Sequence, residues 1–383
     1  MNDIEIKTPT NIFFEENYLD VIKGHAREKR SILITSNGFK KRGAVDAIKN
    51  VLNNNLIYII DDVTANPSIS YIDSLFLKIK NLNIDIVIAI GGGSSLDTGK
   101  AIAKLLGNKD SLITLNEHFK KKISFKKNKK ALPLIAIPTT AGTGSEITHF
   151  ATVWDSIDKK KYSLIGEDLY PYISILDPSL TLTLPEEETI SSSLDALSHA
   201  LESIWNTNAT KESLIYSKKA LSLLLPALET LNTLGVENNS ELRSNLLKAS
   251  MYSGAAINLT RTALSHSISY PLTSFYKLPH GIACSFSLAS VLKFNLVNDD
   301  GRIRDTIIEL GYDSIDQFEK KLFSLFIELG GLIIMKKYIK NLDDILGLTN
   351  KMITPERSNN NLKKANEDDI FMIVKEILQN FKK

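Results

Sequence analysis

One Asp and three His, at spacings a single divalent metal ion could use, fall between Ile190 and His280: Asp195, His199, His266 and His280. Asp195 and His199 lie four apart in Ser-Leu-Asp195-Ala-Leu-Ser-His199-Ala-Leu-Glu, a segment of helix-forming composition, so both side chains leave one face a turn apart and can grip one ion. His266 would then come in from a second helix and His280 from the turn after it. Taken alone, an Asp-x-x-x-His pair is ordinarily a helix-surface pair. The apolar, helical setting raises this one, as does a separate nucleotide signal in the other half of the chain.

That signal is Gly91-Gly-Gly-Ser-Ser-Leu-Asp97-Thr-Gly-Lys100, which follows a β-branched strand ending at Ile90 and opens a helix running to about Leu106. Glycines there let the backbone approach a phosphate, and the free amides of a helix start supply donors and a positive dipole end. Leu96 stands where the usual dinucleotide fingerprint has its third glycine, and the kinase-type phosphate loop does not match either, so another nucleotide fold is implied. A second loop, Pro138-Thr139-Thr140-Ala-Gly142-Thr143-Gly144-Ser145-Glu146, also follows a strand and gathers hydroxyls and glycines, as a loop wrapping a ribose or diphosphate would.

These groups need two kinds of scaffold. A chain of 383 residues exceeds the size at which one core usually stops growing. Up to about residue 182, short apolar runs (31–35, 56–61, 84–90, 134–138, 173–177) alternate with helical stretches at 40–53 and 68–82, the pattern of a mostly parallel sheet covered on both faces. After Pro185 and its three following acids the chain turns helical: Glu187 to Trp205, Ala209 to Asn232, Ser240 to Ile257, then shorter helices. The expected organisation is an α/β dinucleotide-binding domain over 1–182 and an all-α metal-binding domain over 183–383.

Composition narrows the classes further. A hydrophobic share of 43% and a charged share of 23% are those of an ordinary globular protein, and a net charge of +2 does not point to nucleic acid. The basic run from Lys120 to Lys130 reads as a solvated loop, and the Asn- and Lys-rich patch near 355–366 as a surface turn. The single cysteine, Cys284, excludes an intrachain disulfide, suits a reducing compartment, and among small apolar neighbours reads as packing. The Met1 to Lys7 stretch lacks a signal-peptide pattern, and no run of eighteen apolar residues exists, so a cytoplasmic protein without a membrane span is expected. His25, His118 and His149 have no partner spacing and read as surface or packing residues; His149 follows the second loop closely enough to reach a cofactor.

Taken together, these motifs resemble the iron-containing, metal-dependent alcohol dehydrogenases, related in fold to dehydroquinate synthase and glycerol dehydrogenase. The resemblance spans nearly the whole chain through Asn66-Pro, Gly91-Gly-Gly-Ser with Asp97 and Lys100, the Thr139 to Glu146 loop, Asp195-Ala-Leu-x-His199-Ala-x-Glu, and His266 fourteen before His280-Gly. It implies one divalent ion, Fe²⁺ ahead of Zn²⁺, on Asp195, His199, His266 and His280. It also implies NADH or NADPH contacted by Asn66, Gly92, Gly93, Ser94, Ser95, Asp97, Thr139, Thr140, Thr143 and Lys161, and a homodimer.

Two positions depart from the family pattern. Ser36 stands where many NAD-using members carry Asp, with Lys40, Lys41 and Arg42 close behind, so NADPH stays open. Tyr270 replaces a further His thought to relay a proton; with an ordinary phenol pKa near 10 it is a poor shuttle, so water or a cofactor hydroxyl is expected to carry the proton.

The string Thr260 to Thr273 with Leu-Pro-His280-Gly resembles one subgroup, the phosphonoacetaldehyde reductases. That implies a small anionic aldehyde reduced to 2-hydroxyethylphosphonate; because a guanidinium fork suits such an anion and Arg261 sits five residues before His266, Arg261, and more weakly Lys277, is expected to meet the phosphonate. Alternatives are other small-alcohol dehydrogenases of lactaldehyde, butanol or glycerol type, a sugar-phosphate cyclase, or a non-catalytic nucleotide binder. Cyclases generally place Glu where this chain has Asp195.

Overall fold

The computed structural model describes residues 4–158, 160–236 and 239–382. Met1, Asn2 and Asp3 of the N-terminal stretch, and Lys383 at the end of the helical domain, lie outside the described residues.

The chain forms two compact units. One, residues 7–140 and 145–181, holds a six-stranded parallel sheet in the order β1-β8-β5-β4-β2-β3, built from β1 (Asn11–Phe14), β2 (Ser31–Ile34), β3 (Leu56–Ile60), β4 (Ile86–Gly91), β5 (Leu134–Pro138) and β8 (Ile173–Leu176). β2, β4, β5 and β8 are buried along their whole lengths, which is why they read as unbroken apolar runs. One face is covered by α1 (Tyr18–Ala26), α2 (Asn37–Lys41) and α3 (Ala44–Leu52), the other by α4 (Ile69–Ile79), α5 (Gly93–Gly107) and α6 (Leu115–Lys120).

Three features here differ from the sequence expectation. The helix foreseen over 40–53 breaks at Gly43, whose φ of 82° no β-carbon residue adopts cheaply. β1 is only four residues long and partly exposed, too weak a pattern to recognise. An antiparallel hairpin, β6 (Phe150–Asp155) and β7 (Lys160–Ile165), follows the second loop, and Lys120 is ion-paired to its Asp155 and Asp158 rather than merely solvated.

The second unit takes in residues 4–6, Ala141–Gly144 and the chain from Leu182 on. Its centre is α7 (Glu186–Ile204), packed by α8 (Lys211–Leu234), α9 (Ser240–Thr260), α10 (Leu264–Tyr276) and α11 (His280–Ser285), with α12 (Leu288–Asn295) against α10. Three glutamates in the first turn of α7 suit its positive dipole end. His280–Asn298 is, among the described residues, a helical stretch long and apolar enough to cross a membrane, but 72% of that window is buried inside the protein, so its apolarity is that of a core. The patch near 355–366 is not a simple surface turn: Asn361 is fully buried, exchanging hydrogen bonds with Asn295 at 2.8 and 3.2 Å.

Candidate metal centre

Every residue of α7 from Thr189 to Ile204 except Ser192 is buried, so Asp195 and His199 face protein rather than water. α11 lies against α7 so closely that a β-carbon on Gly281 would sit 1.7 Å from the Ser191 carbonyl oxygen and 3.0 Å from the Asp195 amide nitrogen. Only glycine allows that approach, and it brings the neighbouring His280 up to Asp195. His280 is the first residue of α11, after a turn at Lys277 with φ 60°, rather than part of the turn itself.

Three imidazoles converge on one carboxylate oxygen. Asp195 Oδ1 is 3.5 Å from His199 Nε2, 3.5 Å from His266 Nε2 and 4.0 Å from His280 Nε2. Donors of a tetrahedral site with bonds of about 2.1 Å stand roughly 3.4 Å apart, so these separations fit one enclosed cation. Asp195 Oδ1 and His266 Nε2 are buried and have no hydrogen-bond partner, a costly state for polar atoms unless a cation satisfies both.

Neighbouring groups aim two of the rings. The His199 Nδ1–H donates to the Gly142 carbonyl at 3.2 Å, which leaves the Nε2 lone pair for the centre. The His266 ring Nδ1 is hydrogen-bonded to Glu202 Oε2, while its backbone N–H donates to Glu202 Oε1 at 3.0 Å. Carboxylate–imidazole pairs of this kind fix ring orientation at metal sites. Glu202 stood inside the sequence motif, but its role was not read there.

Charge follows the same geometry. Burial alone would raise the Asp195 pKa, yet the three surrounding imidazoles hold it below the ordinary carboxylate range. Burial pulls His199 below its usual value against the attraction of Asp195. Glu202 lies below the usual range because His266, in contact with it, outweighs its burial.

Cys284 is fully buried, as its reading as packing expects, and its surroundings are more polar than its sequence neighbours suggest: its Sγ lies 3.6 Å from His280 Nε2 and groups with Asp195, His266 and His280 as a potential donor set. The signal was available, since Cys284 follows His280 by four residues on α11 as His199 follows Asp195 on α7.

Around this centre, Arg261 caps the C-terminus of α9 with φ 65°, its carbonyl accepting from Asn206 Nδ2 at 3.0 Å. Tyr270 lies one turn past His266 on α10, and its hydroxyl accepts from Arg357 Nε at 3.0 Å. Burial, then the nearby Arg357, lowers the Arg261 pKa to about 10, so it stays charged at neutral pH. Arg357 was not foreseen. Lys277 is exposed at the end of α10.

In the α/β unit the foreseen cofactor residues fall mainly at the carboxyl ends of the strands. The chain passes from β3 back to β4 on the other side of β2, the kind of reversal at whose carboxyl ends α/β sheets bind ligands. Gly92 is the N-cap of α5 and has no side chain to occupy the first amides. A β-carbon there would meet Thr140 at 3.3 Å, the Thr139 N–H donates to the Gly91 carbonyl at 3.0 Å, and the Asn66 N–H donates to Ser94 Oγ at 3.2 Å, so the two loops and Asn66 are adjacent. Ser36 follows β2 as the N-cap of α2.

Asp97 and Lys100 have inward duties. Asp97 accepts from Ser145 Oγ at 2.6 Å and from the Thr152 N–H at 2.8 Å. Lys100 Nζ donates to the Thr148 and Phe150 carbonyls and to Thr148 Oγ1. Lys161, on β7, stacks over Trp154, and Thr143 lies in the segment that belongs with the helical unit. His25, His118 and His149 make ring contacts with aromatic neighbours.

Two family models cover the chain one after the other. The model described as "Iron-containing alcohol dehydrogenase" matches residues 9–178, and that described as "Fe-containing alcohol dehydrogenase family, C-terminal" matches residues 189–378. The chain belongs to the iron-containing alcohol dehydrogenase family. An alcohol dehydrogenase of Thermococcus barophilus is 30% identical over 350 residues, 88% of this chain and 90% of that one. A phosphonoacetaldehyde reductase of Streptomyces viridochromogenes is 34% identical over 223 residues, 58% of this chain and 56% of that one. The crystal structure of a sulfoacetaldehyde reductase from Bifidobacterium kashiwanohense, in complex with NAD⁺, shares the fold at a TM-score of 0.85 and 24% identity, covering 98% of this chain and 99% of that one. As a member of the iron-containing alcohol dehydrogenase family, the protein is an oxidoreductase acting on CH–OH groups.

Proposed function

We propose that this family member reduces a small aldehyde with hydride from NADH or NADPH, and that its preferred substrate carries an anionic group, phosphonoacetaldehyde giving 2-hydroxyethylphosphonate. The observation that carries the reductase reading is the convergence of three Nε2 atoms on Asp195 Oδ1, with two of these buried donor atoms unpartnered. Asp195, His199, His266 and His280 would hold a divalent cation, which when bound would polarise the carbonyl oxygen. Glu202 and Gly142 keep two imidazoles turned to that point. His280, with 29% of its side chain exposed against 6% or less for the other three, is the one of the four that solvent reaches, and an aldehyde is proposed to approach beside it.

Two guanidinium groups within electrostatic range of each other, beside Tyr270, support an anionic substrate: such a pair relieves its own repulsion by taking an anion. The partial match to a phosphonoacetaldehyde reductase is consistent with this. Tyr270 is engaged by Arg357 and so helps to position it; water or a cofactor hydroxyl delivers the proton. For the cofactor, Asn66, Ser36, the Gly92–Asp97 turn and Thr139, Thr140, Thr143 and Lys161 are the proposed contacts. Lys40 is already paired with Asp61 at 2.8 Å, which weakens its claim on a 2′-phosphate.

The test is an anaerobic assay of metal-loaded protein, following reduced-cofactor absorbance with phosphonoacetaldehyde, lactaldehyde, butyraldehyde and dihydroxyacetone. One cofactor oxidised per aldehyde, with the highest kcat/KM on phosphonoacetaldehyde and a KM for it raised in Arg261→Ala, is expected. A cyclase returns its cofactor unchanged and a binder consumes none. Preference for a neutral aldehyde would overturn the anionic substrate alone.

A further inference from the structure

Cys284 is fully buried one turn after His280 on α11, with Sγ 3.6 Å from His280 Nε2 and 3.7 Å from Nδ1. The same sulfur, Asp195, His266 and His280 offer donor atoms that all lie within 4.8 Å of one another. Asp195 and His266 are 4% and 2% exposed, and their Oδ1 and Nε2 are buried atoms of this set without a hydrogen-bond partner. Two overlapping quartets therefore share Asp195, His266 and His280, and differ in the fourth donor, His199 or Cys284. The difference is chemical. His199 completes an all N/O set, whereas a thiolate is a soft donor that favours zinc-like ions.

We propose that Cys284 is a ligand of this metal centre, entering the coordination sphere of Zn²⁺ and of its spectroscopic substitute Co²⁺ as a thiolate in place of, or beside, His199. The sulfur–metal bond forms as the thiol proton passes to solvent, so no oxidant or reductant is needed. The sulfur's longer bond, about 2.3 Å against roughly 2.0–2.1 Å for nitrogen, lets it reach a cation already held by the other three. The consequence is a centre with two coordination modes, one independent of His199. This rests on the reading of the cluster as a metal site.

The experiment is anaerobic Co²⁺ titration of the full-length protein, recording visible d–d bands and near-ultraviolet thiolate-to-cobalt charge transfer. The chain has a single cysteine, so a charge-transfer band has one source. The expected result is an intense band in the native protein, lost in Cys284→Ser and Cys284→Ala, with Zn²⁺ affinity lowered about tenfold or more. His199→Ala keeps the band. Circular dichroism and melting of both Cys284 variants check that they fold; if either fails, the native spectrum still decides. Visible bands without charge transfer would overturn the thiolate ligand and leave the metal site standing. Absence of any Co²⁺ binding would overturn both.

Discussion

Each unit buries a glutamate, and the two carboxyls shift in opposite directions. Glu202, in the helical unit, is held below the ordinary range by the imidazole it orients. Glu146, in the second loop of the α/β unit, is 1% exposed, has an unpartnered Oε1, and is pushed up to about 7 by burial, with Lys100 opposing only in part. The contrast extends to the sites. The candidate metal centre is made of side chains fixed by other side chains, and little can be exchanged there. The loops proposed to hold the nucleotide are made of backbone amides and small residues, and the polar side chains Asp97 and Lys100 tie the second loop to the helix.

The sharpest break of this contrast is Gly281→Ala. Its β-carbon would fall 1.7 Å from the Ser191 carbonyl, so α11 must part from α7. A melting experiment is expected to show destabilisation of about 3 kcal/mol or failure to fold, with metal retention lost. A variant as stable and metal-replete as the native protein would show that the close approach does not set the site.

Glu146→Gln tests the other unit. Because its folded pKa, about 7, exceeds the ordinary value of 4.5, the folded state binds more protons between those limits, and stability must fall as pH rises from 4.5 towards 7. The glutamine variant should lose that slope and be more stable above pH 7 by roughly 2–3 kcal/mol, if Gln fits the same space. Denaturant melts across pH 4–8 measure it. In the helical unit the sign reverses: the stability contributed by Glu202 is complete above its ordinary pKa and is lost as pH falls through the lowered value.

Glu202→Gln sharpens the comparison further. Changing the carboxylate that aims His266 should weaken metal binding about 10–100-fold, with affinity for NADH unchanged in equilibrium titrations. The smallest effect is expected from Gly92→Ala, whose β-carbon would meet Thr140 at 3.3 Å: a rise of about tenfold or less in the dissociation constant for NADH, with metal content unaltered. Equal losses of metal and cofactor in either variant would erase the distinction between the two sites.

What the sequence disclosed follows the same divide. The buried strands and the long helices were legible because burial on both faces leaves unbroken apolar runs and an amphipathic period. Asp195 and His199 were legible as a pair because a helix places four-apart residues together. The approach of His266 and His280 to that pair came from resemblance, since no local rule carries a contact across that many residues. Cys284 was passed over because small apolar neighbours look the same whether a thiol packs or faces a cluster of donors. Arg357 was invisible for another reason: its partner Tyr270 is distant in sequence, and the Asn-rich segment carrying it has loop composition, although Asn361 anchors it to Asn295. β1 and the β6–β7 hairpin escaped because short, half-exposed strands lack a distinctive period.

The most direct measurement is anaerobic equilibrium dialysis against Fe²⁺ and, separately, Zn²⁺, on the native protein and on the alanine variants of Asp195, His199, His266 and His280. One ion per chain in the native protein, with Fe²⁺ occupancy collapsing in each variant while the fold is retained, is the expected result. Undiminished Fe²⁺ stoichiometry in all four variants would contradict the assignment of these side chains to one metal centre.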